Sequence, residues 1–113
     1  MDICNKSIAI DDFLHLANAH KLREVTGCYI ITNECNDMIY VGQGKKVIDR
    51  LNAHFIGEGN QDVYQDYISG HEFTVEVLPL SGSGYDTLDE MERVLIRKYE
   101  AVETGYNQRY GNI

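Results

Sequence analysis

Two tyrosines, a basic stripe, one glutamate and one asparagine are the side chains of this sequence whose types and spacing could do chemistry. Tyr29 and Tyr40 lie in two short runs, Gly27-Cys28-Tyr29 and Tyr40-Val41-Gly42, within TGCYIITNECNDMIYVGQG. They form either a packed cross-strand aromatic pair or half of a site. Lys46, Arg50 and His54 follow at i, i+4 and i+8, which makes one stripe on a helix. That stripe borders an apolar face, so it is either a solvated basic face or the wall of a cleft. The glycines ahead of it in Gly42-Gln43-Gly44 leave main-chain N–H groups open to an anion, although this is far short of a P-loop. Glu92 stands beside Met91 and Leu95, on the core-facing side of a last helix. A carboxylate aimed into a cleft from there suits a hard divalent cation such as Mg²⁺. Asn107, just past that helix, is a turn residue or a group that orients a ligand or a neighbouring backbone.

The elements that must hold these residues follow from periodicity. Apolar residues at 10, 13, 14 and 17 predict a helix from Ile10 to Leu22. Val25 to Asn33 and Met38 to Gly42 read as strands, joined by turn residues at 33–37 and broken by Gly42-Gln43-Gly44. A four-residue loop, Asn33 to Asn36, would set Thr32 opposite Asp37 and Tyr29 opposite Tyr40, on one face. Lys45 to Phe55 is a helix with Val47, Ile48, Leu51 and Phe55 inward. The GEGN segment at 57–60 reads as a loop, and a short amphipathic helix carrying Val63, Tyr64, Tyr67 and Ile68 follows it. His71 to Leu80 alternates as a half-buried strand. Leu88 to Val102 is the last helix, with Thr87 and Glu90 as a capping box. The result is a mixed α/β (α+β) chain, a small sheet covered by helices.

The 113 residues make one compact domain. No stretch reaches the ~20 apolar residues of a membrane span, and the N-terminus does not read as a secretory signal. Cys4, Cys28 and Cys35 include no CxxC pair, which argues against a zinc site and for reduced thiols in a cytoplasmic protein. Net charge is −8, with 18 Asp and Glu against 10 Lys and Arg. That excludes broad, charge-driven adhesion to nucleic acid or membrane, so any work on DNA must rest on a local site or a partner.

Taken in order, these residues resemble the GIY-YIG nuclease family. Gly27-Cys28-Tyr29 matches the first element, with Cys in place of Ile. Tyr40-Val41-Gly42 matches the second, with Val in place of Ile. Arg50, His54, Glu92 in MERVLIRKY and Asn107 match the family's polar positions in register. The resemblance covers about residues 26 to 109. It implies a three-stranded antiparallel sheet flanked by helices, with residues 1–25 as an N-terminal helical extension and 26–113 as the nuclease-like domain.

The implied activity is cleavage of a DNA phosphodiester with one divalent cation, Mg²⁺ or Mn²⁺, held by Glu92. The resemblance makes Tyr29 the general base or the group that orients the water, with His54 placed to take its proton. Arg50 then contacts the scissile phosphate, Tyr40 holds phosphate or water, and Asn107 fixes that corner. Gly42 and Lys46 are the expected outer substrate contacts. With the chain ending soon after Asn107, no separate DNA-binding domain is expected within it. Targeting is left to a protein partner, to an oligomer or to low specificity. The alternative on the same fold is a catalytically inactive interaction module that binds a basic protein partner.

Overall fold

The structure, a computed structural model, describes residues 4–19 and 24–108. Its strands are β1 (Ile8–Ala9), β2 (Gly27–Asn33), β3 (Ile39–Gly44) and β4 (Phe73–Pro79). Its helices are α1 (Ile10–Ala19), α2 (Val47–Phe55), α3 (Gln61–Ile68) and α4 (Leu88–Lys98). The strands form one antiparallel sheet in the order β1-β4-β2-β3. The fold is α+β as expected, but the sheet has four strands rather than three. Two residues are too short a run to show an alternating pattern. β1 therefore escapes periodicity and is visible only through its pairing of Ile8 with Val75. The expected continuation of α1 to Leu22 lies outside the described residues.

β2 is buried on both faces, which divides the core in two. Tyr29 and Ile31 face α1, α2 and α3, packing with Phe13, Val47, Leu51 and Phe55. Cys28 and Ile30 face α4, packing with Val41, Met91, Leu95 and Ile96. β3 is the edge strand, and α2 and α4 pack on it from its two sides.

The hairpin register differs from the expected one. Tyr29 pairs with Gly42, and Tyr40 pairs with Ile31. The loop is longer because its polar side chains close it: Asn33 Oδ1 accepts from the Cys35 N–H, and Asn36 Oδ1 from the Met38 N–H. Asp37 takes the left-handed conformation, φ 62°. The slip is two residues, and side chains alternate with a period of two, so both tyrosines still leave the same face.

Two other boundaries move. β3 runs through Gly42 and Gly44 instead of breaking there, with Gly44 paired to Gly27. The two glycines are a matter of space. A Cβ at Gly42 would collide with the Tyr29 hydroxyl, and one at Gly44 would lie 2.7 Å from Arg50 Cγ. The last helix stops at Lys98, short of Val102, because Glu100 turns to φ 52° while the Ala101 N–H closes back on the Ile96 carbonyl at 3.0 Å.

Candidate active site

A cleft of about 460 Å³ opens beside the edge strand β3, lined mostly by polar surface. Tyr29, Tyr40, Gly42, Arg50, Glu92 and Asn107 all line it. They come from β2, β3, α2, α4 and the tail, so the cleft gathers side chains from both layers of the fold.

Tyr29 is 1% exposed, with its ring lying over Gly42. The Tyr40 ring stands 6.2 Å away, inclined by 30°, and the His54 ring lies 4.7 Å from Tyr40 and 5.5 Å from Tyr29. Burial, and then Tyr40, pushes the Tyr29 hydroxyl well above the ordinary phenol value, while Arg50 pulls it the other way. Arg50 is exposed, and its stem passes across Gly44 to the rim of the cleft.

His54 belongs to the site without lining the cleft. It is 2% exposed, beneath the tyrosines, with Nε2 2.6 Å from Tyr29 Oη. Its Nδ1 accepts the Asn60 main-chain N–H at 2.8 Å. Burial first, and then the Arg50 charge, holds the ring down at about 4, so it is neutral at pH 7.

Glu92 is 8% exposed, within the stripe Met91, Leu95 and Ile96 that anchors α4. A carboxylate is seldom buried in a helix's core stripe without a task. Thr87 caps this helix, its hydroxyl accepting the Glu90 N–H at 3.1 Å, which fixes where Glu92 emerges. Among the described residues, no three His, Cys, Asp or Glu side chains cluster as a metal site.

Asn107 uses both ends of its amide on one residue. Oδ1 accepts the Val41 N–H at 2.8 Å, and Nδ2 donates to the Val41 carbonyl at 2.9 Å. The Tyr106 N–H donates to the Ile39 carbonyl at 2.9 Å. Tyr106 and Asn107 thus cover the edge of β3 as a further strand would. Asn107 holds Val41, and through it Tyr40 and Gly42 on either side.

Lys46 is not brought in. It is exposed at the N-cap of α2, outside the cleft lining. Three polar lining residues were not singled out from sequence: Gln43, Asn60 and Gln108. Gln43 Nε2 donates to Asp89 Oδ1 at 2.8 Å, tying β3 to α4 across the opening. Asn60 caps α3, its side chain accepting the Val63 N–H at 3.0 Å. Its signal was present in GEGN, an asparagine directly before an amphipathic run.

The fold matches a solved catalytic domain of the intron endonuclease I-TevI, a point mutant, with a TM-score of 0.58 and 23% identity. That match covers 79% of this chain and 98% of the other. No curated protein matches the sequence. The family model of the GIY-YIG catalytic domain matches residues 25–107, and the chain belongs to that nuclease family.

Proposed function

We propose that the protein is a divalent-cation-dependent DNA endonuclease that hydrolyses a phosphodiester in the β3-edge cleft. One observation carries the reading: the cleft draws Tyr29, Tyr40, Arg50 and Glu92 together from four separate elements. Hydrolysis needs a deprotonated water, neutralised phosphoryl charge and a held geometry. In this reading, the Tyr29 phenolate takes one proton from the attacking water. The water oxygen bonds to phosphorus as the bond to the leaving oxygen breaks, and the leaving oxygen takes a proton from solvent. Arg50 offers its planar fork of donors to the phosphate oxygens. Tyr40 orients phosphate or water. Asn107 is a positioning residue, because both its polar atoms are engaged on Val41.

The donor set fits a hard cation. One buried carboxylate, Glu92, beside a polar cleft open to water suits Mg²⁺ or Mn²⁺, which keep several water ligands and add substrate phosphate. Such a cation, when bound, supplies Lewis acidity at the leaving oxygen.

The charge distribution bears on affinity. Lys45, Lys46 and Arg50 at the start of α2, and Arg93, Arg97 and Lys98 on α4, are exposed on the two helices that flank β3. With a net charge of −8 on the whole chain against them, intrinsic DNA affinity is weak and salt-sensitive, and a protein partner supplies targeting.

The test is plasmid nicking by the purified chain across a Mg²⁺ and Mn²⁺ titration. Cleavage is expected to need the cation and to vanish in Glu92→Ala and in Arg50→Ala. Activity surviving both substitutions would sink the site assignment. No cleavage with any cation, together with a stable basic partner from the source cell, would favour an inactive interaction module instead.

A further inference from the structure

We propose that His54 serves Tyr29 as a hydrogen-bond donor, not as the acceptor of its proton, and that the Gly59–Asn60 main chain imposes this role. The inference rests on the reading of Tyr29 as general base. It reverses the direction of proton flow that the resemblance implies.

The geometry leaves little freedom. A main-chain N–H can only donate. The Asn60 N–H points at His54 Nδ1 from 2.8 Å, so Nδ1 presents its lone pair. A neutral imidazole with a lone pair on Nδ1 carries its hydrogen on Nε2. Nε2 lies 2.6 Å from Tyr29 Oη, so the tyrosine oxygen accepts that hydrogen. To take the proton of Tyr29, Nε2 would need a lone pair, and the ring hydrogen would move to Nδ1. Two donors would then face each other at the Asn60 contact, in a ring 2% exposed. A doubly protonated ring meets the same clash.

The local chain is built around this contact. A Cβ at Gly59 would collide with His54 Nδ1, so only glycine lets the loop cross the ring edge that closely. Asn60 is fixed in turn by capping α3, its side chain accepting the Val63 N–H. A helix cap therefore sets the tautomer of a buried histidine, and that tautomer sets the environment of the tyrosine oxygen. A donor aimed at Oη favours the phenolate over the phenol, against the burial that disfavours it. It also leaves the tyrosine hydrogen to point into the cleft, where it leaves to solvent before attack.

Two measurements separate this proposal from the functional reading. Nitrogen NMR of the ring-labelled full chain at neutral pH, assigned by comparison with His54→Gln, is expected to show His54 protonated on Nε2 and bare on Nδ1. A hydrogen on Nδ1 overturns the proposal whether or not the protein cleaves DNA. The second is nicking activity. His54→Gln places an amide N–H₂ toward Tyr29 and a carbonyl oxygen toward Asn60, but an amide cannot carry a proton away. This variant is expected to stay within about tenfold of the native rate, while His54→Ala loses about 10²-fold. Equal loss in the two variants overturns the donor role. A native chain that shows the Nε2–H tautomer and cleaves nothing supports the hydrogen-bond direction and rejects the nuclease reading.

Discussion

His54 and His71 each accept an N–H on Nδ1 and each belong to a cluster containing a tyrosine. Around His71, the Asn33 amide donates to Nδ1 at 2.8 Å and to Tyr106 Oη at 2.9 Å. Tyr106 in turn donates to Asp66 Oδ2 at 2.5 Å. The Tyr106 proton thus ends on an internal acceptor, and burial followed by the Asp66 contact pushes Tyr106 up to about 12. Around His54 the last group is Tyr29, whose oxygen receives a hydrogen from inside and whose own hydrogen faces the cleft. In the His71 cluster the phenol donates to a carboxylate, Asp66, so the direction of donation at the phenol differs. A tyrosine that donates inward ties chain segments together. One that accepts from inside is left able to exchange protons with a ligand.

The largest expected effect tests that contrast at the two phenols. Tyr29→Phe removes the oxygen that meets the water and should lower the nicking rate by about 10²- to 10⁴-fold. Tyr106→Phe should leave the rate within a few-fold. Steady-state nicking by both variants, at matched folded fraction, checks this. Similar losses in the two would erase the distinction.

The next effect is a pH dependence at His54. The folded-state value of His54, about 4, lies below its ordinary 6.5. Below pH 6.5 the unfolded chain takes up a proton that the folded chain resists. The stability is therefore whole above that pH, falls as pH drops, and levels off near 4. Across that window the loss is about 3 kcal/mol. Denaturant unfolding at pH 7 and pH 4 should show it in the native chain. The drop should be smaller by that amount in His54→Gln, where the titrating ring is gone.

A smaller effect concerns the room that Tyr29 needs. Gly42→Ala drives a methyl into the Tyr29 hydroxyl. It should cost about 1–3 kcal/mol of stability, as overpacking does. It should also lower activity, because the displaced ring loses its His54 contact. Denaturant midpoints and nicking rates measured on one preparation would show whether the two losses travel together.

How much of this was readable beforehand follows the range of each interaction. Helices α2, α3 and α4 are written in local periodicity and caps, and the sequence reading placed them within a few residues. The two-residue β1 has no local signature, since only Val75 and Thr74, far along the chain, define it. The hairpin faces were legible and the register was not. Alternation fixes a face, whereas the Asn33 and Asn36 side chains fix the loop length. Glu92 was legible as a carboxylate in an apolar stripe. His54 was legible as a residue, but its role was not. Its tautomer depends on the Asn60 N–H, a main-chain group with no letter of its own.

The smallest effect asks whether the His71 cluster only holds the tail. Tyr106→Phe leaves one N–H of Asn33, which is 0% exposed, without its acceptor, while Asp66 is open enough to rehydrate. The expected cost is about 1–2 kcal/mol. Tyr106 precedes Asn107, and its N–H pairs with Ile39 through the main chain, so the phenylalanine variant keeps that bond. Amide exchange reads the consequence directly. The Val41 N–H, held by Asn107 Oδ1, should keep its protection relative to global stability in Tyr106→Phe and lose it in Asn107→Ala. If Tyr106→Phe instead frees Val41 as fully as Asn107→Ala does, the two clusters are coupled through the β3 edge. The His71 cluster would then belong to the active site rather than to its scaffold.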